Sequence, residues 1–149
     1  MTGAANGVGL AIARHFVEQG ANVMFADIDE DHLEAEVGAD AAREGPIRFF
    51  AGDLREKLTI TNLVSATLDA FDRLDILVNA SRQVALTDPL SADDTSVEEM
   101  LQQNLLSALK LTQYVARRMI KQGPQGELGD GSAGAIVNLS SVAAHLGHP

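Results

Sequence analysis

The chain has 149 residues, a length typical of one domain that can bury a hydrophobic core. Its hydrophobic content of 46% is ordinary for a globular protein, and its apolar runs are too short to span a membrane. The formal net charge of −10 and the absence of tryptophan argue against a nucleic-acid-binding surface. Without cysteine, disulfides and a cysteine nucleophile are excluded. No signal peptide is recognisable at the N-terminus, so we expect a cytoplasmic protein.

Short β-like runs alternate with longer helical patterns along the chain. Apolar residues at helical spacing predict a first helix over 8–19, and Gly20 ends it. The predicted strands are 22–27, 47–51, 74–79 and 135–139, and the further predicted helices are 29–43, 55–71 and 97–122. The last of these helices carries an apolar stripe of Leu101, Leu105, Ala108, Val115 and Met119, with Thr112 in register. Residues 81–91 and the glycine-rich segment 123–134 are predicted loops.

This alternation predicts an α/β fold, a parallel sheet with helices on both faces. In such sheets, ligands bind at the carboxyl ends of the strands. Each predicted strand ends near a polar residue, and these residues are Asp27, Asp53, Asn79 and the pair Ser140 and Ser141. We therefore expect the functional site at this edge of the sheet.

The segment 2–9 reads Thr-Gly-Ala-Ala-Asn-Gly-Val-Gly and precedes the first predicted helix. Glycines let a backbone approach a phosphate closely, and the N–H groups at a helix N-terminus attract the anion. The same glycines would also suit a plain tight turn. A phosphate-binding loop of this kind should follow a strand, and here only Met1 precedes Thr2.

Asp27 supports the phosphate-binding interpretation because it lies 24 residues after Gly3, at the end of a predicted strand. A carboxylate there can bind both hydroxyls of an adenosine ribose and would repel a 2′-phosphate, which favours NAD over NADP. The alternative role for Asp27 is a cap on the next helix. Asp53 and Leu54 suggest an adenine pocket, in which Asp53 binds the exocyclic amine and Leu54 covers the ring. An N-cap role for Asp53 is equally open.

These motifs together resemble the short-chain dehydrogenase/reductase family over essentially the whole chain. The resemblance rests on 2–9, Asp27, Asp53-Leu54, the Leu-Val-Asn-Ala of 77–80, Asn104, and the Ile-Val-Asn-Leu-Ser-Ser of 136–141. It implies one partial dinucleotide-binding domain over 1–149, a doubly wound Rossmann sheet. We expect this fold to be incomplete, without its first strand and its C-terminal strands and helices.

The resemblance also implies roles for individual residues. Ser141, or failing that Ser140, would hydrogen-bond the substrate oxygen, and Asn104 would hold a water of the proton relay. The implied cofactor-binding residues are Thr2, Gly3, Asn6, Gly7, Val8, Gly9, Asp27, Ile28, Asp53, Leu54, Asn79 and Ala80. No metal site is expected, because the four histidines form no ligand set.

The chain departs from the family pattern in three places. The family's catalytic tyrosine and lysine would lie beyond Pro149, and we interpret the only tyrosine, Tyr114, as a packing residue although Arg118 follows it by four. Ser81 stands where the family often has glycine after the Asn-Ala of 79–80. The loop 123–134 is longer than the usual connection.

The implied function is an oxidoreductase that transfers a hydride between NAD and a small alcohol or carbonyl compound. The main competing function is a non-catalytic dinucleotide-binding fragment or module, because the family's catalytic tyrosine and lysine are missing from this sequence. A methyltransferase is disfavoured by Asn104 and by the sequence 138–141. We expect no nucleic-acid or membrane partner, a homo-oligomeric parent (tetramer or dimer), and no turnover by this chain alone.

Overall fold

The computed structural model describes residues 1–88, 90–123 and 132–142. Within these ranges the strands are β1 (Val23–Asp27), β2 (Ile47–Ala51), β3 (Ile76–Asn79) and β4 (Ala135–Asn138). The helices are α1 (Gly7–Glu18), α2 (Glu30–Leu33), α3 (Ala39–Ala41), α4 (Lys57–Phe71), α5 (Ser96–Leu101) and α6 (Ser107–Gln122). Two π-helical turns, Glu34–Gly38 and Gln102–Leu106, connect α2 to α3 and α5 to α6. The predicted order of strands and helices is confirmed, while 124–131 of the predicted glycine-rich loop lie outside the described residues.

The strands form two parallel pairs. β1 pairs with β2 from Val23 opposite Ile47 onward, and β3 pairs with β4 from Ile76 opposite Ala135 onward. Four of the five β1 residues are buried, as expected for a parallel strand covered on both faces.

Thr2 joins the two pairs of strands. It forms parallel bridges to Ala26 of β1 and to Asn79 of β3, and its amide donates to the carbonyl of Val78 at 3.0 Å. Thr2 therefore occupies the position of a central strand, so the strand order is β2, β1, Thr2, β3, β4. In the given chain Met1 and Thr2 contribute to that position.

Helices cover both faces of this sheet, as the sequence predicts. On one face, α4 and α6 pack their apolar residues Ile60, Leu63, Leu111 and Val115 against Met24 and Leu77. On the other face, a second cluster joins α1 and α2 to β1 through Ala13, Leu33 and Phe25. The two clusters hold the carboxyl ends of the strands at one open edge. No helix in the described part of the chain is long and apolar enough to cross a membrane.

The apolar stripe predicted for the long helix is wrong in its first half. Leu101 and Leu105 are about half exposed, whereas the buried positions are Ser107, Leu111, Val115 and Met119. The physical reason is the π turn at Gln102–Leu106, which adds a residue to one helical turn and rotates the preceding face away from the core.

A slot lies between β1 and β3 on the N-terminal side of Met1. It has a volume of about 400 Å³ and is lined by the two strands and by apolar side chains of α1, α4 and α6. The Met1 ammonium lies at its end, donates to the carbonyl of Met24 at 3.2 Å, and is buried. Burial lowers the pKa of this ammonium from 8.0 to about 6.

This buried ammonium predicts a pH-dependent stability. Between pH 6 and 8 the unfolded chain holds a proton on its α-amino group that the folded chain lacks, so raising the pH favours folding. We expect the free energy of unfolding to rise by about 2 kcal/mol over this window in urea titrations. The Nα-acetylated chain is the control, because its histidines are the same. An unchanged pH slope after acetylation would contradict the assignment.

Candidate functional site at the carboxyl ends of the strands

The glycine loop is closed upon itself by backbone contacts. A Cβ added at Gly9 would lie 1.8 Å from the carbonyl oxygen of Gly3, so α1 can pack here only with glycine at position 9. Gly3 has a φ of +65°, and a Cβ there would lie 2.7 Å from the amide nitrogen of Ser81. The loop therefore lies directly against the backbone that follows β3.

The N-terminus of α1 is arranged to receive an anion. The helix begins at Gly7, and the N-cap residue Asn6 is extended with no side-chain cap hydrogen bond. The N–H groups of the first turn are thus left without a side-chain cap, at the positive end of the helix dipole. A Cβ at Gly7 would meet nothing within 4 Å, and Val8 is 63% exposed. An open helix N-terminus of this kind can receive an anion such as a phosphate.

Asp27 connects the glycine loop to the end of β1. Its carboxylate accepts from the amide of Ala5 at 3.0 Å, and its other oxygen accepts from the amides of Ile28 and Asp29 at 2.8 and 3.2 Å. The cap on α2 is instead Asp29, which accepts from the amide of His32 at 3.1 Å. The alternative of Asp27 as the cap of that helix is therefore wrong.

Asp53 lies at the same edge, because the preceding Gly52 donates its amide to the carbonyl of Asp27 at 2.8 Å. The Asp53 carboxylate is held by the guanidinium of Arg55, with an Nη2 to Oδ2 distance of 2.6 Å. Hydrogen bonding to Arg55 lowers the pKa of Asp53 below its usual value. The N-cap of α4 is Glu56, so the capping alternative for Asp53 is wrong as well. The Leu54 side chain lies in the core beside α4.

The buried side-chain amide of Asn79 connects the ends of β3 and β4 to α6. Asn79, which is 7% exposed, donates from Nδ2 to the Thr112 hydroxyl at 3.0 Å and to Asn138 Oδ1 at 2.8 Å. Its own Oδ1 has no hydrogen-bond partner among the described residues. This network sets the separation between the two strand ends and the helix that carries Asn104.

Asn104 lies inside the π turn and binds the segment that follows β3. It accepts from the amide of Gln83 at 2.7 Å and donates to the carbonyl of the same residue at 2.8 Å. One pocket of about 330 Å³ is lined by Asn79, Asn104 and Thr112. Its other lining residues are Ser81, Leu105, Ala108, Leu109, Asn138 and Leu139. Two of the predicted site residues are thus brought to a common cavity.

The remaining residues singled out from the sequence are Thr2, the two serines after β4, and Tyr114. Thr2 Oγ1 accepts from the amides of Ala80 and Ser81 at 3.2 and 3.4 Å, which fixes the backbone where the family often has glycine. Ser140 and Ser141 are exposed directly after β4. Tyr114 packs against the core from α6, which confirms its interpretation as a packing residue.

Sequence reasoning missed three contributors, namely Arg55, Gln83 and the hydroxyl of Thr112. The carboxylate of Asp53 two residues before Arg55 was an available signal for the ion pair. The contacts of Gln83 with Asn104 and of Thr112 with Asn79 join residues that are distant in sequence, so no local sequence pattern predicts them. No group of three potential metal ligands among His, Asp and Glu occurs in the described ranges.

Comparison with known proteins agrees with this geometry. The family model of the short chain dehydrogenases matches residues 1–149. D-threitol dehydrogenase of Mycolicibacterium smegmatis is 32% identical over 97% of this chain and 52% of its own length. Sorbitol dehydrogenase of Cereibacter sphaeroides is 34% identical over 99% of this chain and 53% of its length. The chain belongs to the short-chain dehydrogenase/reductase family, an oxidoreductase family, and spans about half the length of these curated relatives.

Solved structures show the same fold. An apo SCOR enzyme from Clostridium thermocellum superposes with a TM-score of 0.80 at 25% identity, over 99% of this chain and 55% of that chain. The apo form of LigO from Sphingobium superposes with a TM-score of 0.82 at 24% identity, over 99% and 52%. The Rossmann fold is therefore confirmed, and it is incomplete relative to these structures.

The glycine loop predicts a large difference between two glycine substitutions. Gly9→Ala should destabilise the chain by more than about 3 kcal/mol, because the new methyl collides with the Gly3 carbonyl. Gly7→Ala meets open space and should cost only about 1–2 kcal/mol, from its φ of +54°. Urea unfolding of both variants measures the difference. Equal losses would contradict the close packing of Gly9 on Gly3.

Proposed function

We propose that this chain is the NAD-binding part of an oxidoreductase that transfers a hydride between NAD and a small alcohol or carbonyl compound. The observation that carries the proposal is the open cradle at Gly7, bordered by the carboxylate of Asp27, which is bonded to the loop through Ala5. When bound, the nicotinamide cofactor supplies the redox chemistry, and the protein binds and orients it. The family membership of the chain supports a nicotinamide dinucleotide.

The choice of NAD over NADP follows from charge. Asp27 already accepts three backbone amides, so its carboxylate is held in place at the end of β1. A ribose diol can donate to the remaining lone pairs of this carboxylate, whereas a 2′-phosphate would be repelled. Asp29, Glu30 and Asp31 follow at once and add to the negative charge.

For the other predicted site residues we propose the roles that the family resemblance implies. Thr2, Gly3, Asn6, Val8 and Gly9 would form the pyrophosphate side of the site. Ile28, Asp53 and Leu54 would border the adenosine, with Leu54 contributing mainly backbone because its side chain is in the core. Asn79 and Ala80 would lie beneath the nicotinamide side.

Catalysis would involve Ser141 and Asn104. Ser141, with Ser140 as the alternative, would hydrogen-bond the substrate oxygen, and Asn104 would hold a water of the proton relay. The reciprocal bonds to Gln83 support the role of Asn104, because they fix its side chain within the π turn. π turns inside α-helices are frequent at functional sites.

The proposed setting is a cytoplasmic homo-oligomer, a tetramer or dimer, without nucleic-acid or membrane partners. The exposed leucines of the long helix support self-association, since Leu101, Leu105 and Leu109 are each about half exposed. The net charge of −10 disfavours nucleic acid.

A non-catalytic dinucleotide-binding module is the second candidate. It is favoured by one observation, that the only tyrosine of the chain packs against the core from α6. The family's tyrosine acts as general acid and base, and this chain has no other tyrosine to take that role.

Binding of adenosine-containing probes tests the first proposal. In calorimetric titrations, ADP-ribose should bind at least about tenfold more tightly than its 2′-phosphorylated analogue. The reason is that the 2′-phosphate of the analogue would place a negative charge beside the Asp27 carboxylate. Asp27→Asn should remove most of this preference. Asp29→Asn is the matched control, since it makes the same change of charge on a carboxylate that caps α2. Equal affinities in the unmodified chain, or equal effects of both variants, would refute the role of Asp27.

A turnover assay tests whether the chain alone is a catalyst. With NAD and a panel of small secondary alcohols, the chain alone should form no NADH above background, because loss of a general acid-base group costs about 10²–10⁴-fold in rate. NADH formation that Ser141→Ala abolishes would show that the chain is itself a catalyst. ADP-ribose binding without NADH formation is the result expected of the chain alone.

A further inference from the structure

The carboxylate of Asp53 and the guanidinium of Arg55 form a side-on pair at the carboxyl edge of the sheet. Arg55 Nε donates to both carboxylate oxygens, at 3.0 Å to Oδ1 and 2.9 Å to Oδ2, and its Nη2 donates to Oδ2 at 2.6 Å. The backbone amide of Arg55 also donates to Oδ1, at 2.9 Å. A single residue therefore fixes both the position and the orientation of the Asp53 carboxylate.

This pair lies beside the end of β1. Ala51, the last residue of β2, is opposite Asp27 in the parallel register, and Gly52 donates its amide to the carbonyl of Asp27 at 2.8 Å. Asp53 therefore follows directly after the residue that is bonded to Asp27, the position proposed for the adenosine ribose. Because the base of a nucleotide is attached to its ribose, a bound adenosine brings its base to this side of Asp27.

Both side chains of the pair are partly open to a ligand. The exposed fraction of the side chain is 28% for Asp53 and 38% for Arg55. The residue between them, Leu54, directs its side chain into the core beside α4 and leaves the pair uncovered. A planar group that lies against the end of β2 can therefore reach both the carboxylate and the guanidinium.

The hydrogen-bonding capacity of the pair is not exhausted by its internal bonds. A carboxylate has about four acceptor sites, and the backbone amide, Nε and Nη2 of Arg55 use all but about one of them. A guanidinium has about five N–H donors, and only Nε and Nη2 are bonded to Asp53. Within the described part of the chain, nothing accepts from Nη1. An unused acceptor on Asp53 thus lies next to unused donors on Arg55.

This combination matches an edge of adenine. The exocyclic amine N6 is a donor, and the ring nitrogen N7 next to it is an acceptor. The ring nitrogen N1, on the other side of the amine, is an acceptor as well. Hypoxanthine has a carbonyl oxygen in place of the amine, so it would place an acceptor against the carboxylate, which can only accept.

We propose that Asp53 and Arg55 recognise adenine as a pair, and that Arg55 is a specificity-determining residue of the cofactor site. Oδ2 of Asp53 accepts from N6, and the Arg55 guanidinium donates to the ring nitrogen beside it, N7 or N1. This inference rests on the proposed function, because it requires the adenosine to lie next to Asp27. It gives the guanidinium a contact with the ligand in addition to its hold on the carboxylate.

The simpler role for Arg55 is charge compensation. The hydrogen bond to Asp53, together with the charges of Asp53, Glu99 and Glu56, raises the pKa of the guanidinium, so Arg55 lies among carboxylates. A compensating charge would strengthen the binding of every ligand that carries a pyrophosphate to the same degree. Recognition of adenine instead changes the ratio of affinities between ligands that differ only in the base. This ratio therefore separates the two roles.

The probes are ADP-ribose and three analogues that differ from it only in the base, titrated into the unmodified chain by calorimetry. The 7-deaza and 1-deaza analogues each replace one ring nitrogen by a C–H group, and inosine diphosphate ribose carries hypoxanthine. We expect one of the two deaza analogues, and the hypoxanthine analogue, to bind at least about tenfold more weakly than ADP-ribose. The reason is that each loses a hydrogen bond to a charged group. If both deaza analogues bind as tightly as ADP-ribose, Arg55 does not contact the base and the proposal fails.

The variant Arg55→Met tests the assignment of the donor. It keeps much of the aliphatic stem and removes the guanidinium, so the deaza analogue should now bind within about twofold of ADP-ribose. Arg73→Met is the matched control, because Arg73 forms the same kind of side-on pair with Asp75, just before β3 and thus at the opposite end of the strands. It should keep the preference of the unmodified chain. A preference that survives in Arg55→Met, or that is lost in both variants, would overturn the proposal.

These measurements separate the failure of this inference from the failure of the proposed function. If ADP-ribose does not bind to the unmodified chain, the cofactor site is refuted, and the recognition of adenine with it. If ADP-ribose and all three analogues bind equally, only the recognition of adenine is refuted. If Arg55→Met weakens all four ligands equally, Arg55 is a compensating charge and the proposal is wrong. The ratios in the unmodified chain need no substitution, so they decide the question even where a variant does not fold.

Discussion

The sheet of this protein depends on the backbone of Thr2. Its bridges to Ala26 and Asn79 connect two parallel strand pairs that otherwise share no strand. The residue is 2% exposed, and its hydroxyl accepts from the amides that follow β3. One residue therefore holds both the halves of the sheet and the start of the glycine loop. A central strand usually distributes this function over several residues.

The bridges of Thr2 to β1 and β3 also set the geometry of the candidate site. Gly3 follows Thr2 directly and lies against the backbone of Ser81, and Gly9 packs on Gly3 in turn. The carboxylate of Asp27 then accepts from the amide of Ala5, which attaches the loop to the end of β1. On the other side of Thr2, the Asn79 amide joins Asn138 and Thr112. The glycine loop with Asp27 and the Asn79 network are thus attached to opposite sides of a single central position.

The sequence predicted the strands well because their signals are local. Each predicted strand ends near a polar residue, and each of those residues lies at the carboxyl edge of the sheet in the structure. The π turn at Gln102–Leu106 had no such signal, because one added residue leaves the apolar composition of the helix unchanged. The predicted stripe therefore extended the periodicity of α6 back to Leu101 and Leu105. In the structure the π turn rotates these two residues away from the buried face of α6. The same turn brings Asn104 to Gln83, a contact that helical periodicity does not predict.

The sequence by itself determined the order of the strands and helices, the glycine loop and the residues at the strand ends. These features follow from side-chain chemistry over a few neighbouring positions, such as the alternation of buried runs and the spacing between Gly3 and Asp27. Only the tertiary structure decided which of these residues meet, that Arg55 holds Asp53, and that a slot separates β1 from β3. The reason is that such contacts depend on the distance between elements far apart in the chain, and that distance is set by packing on both faces of the sheet.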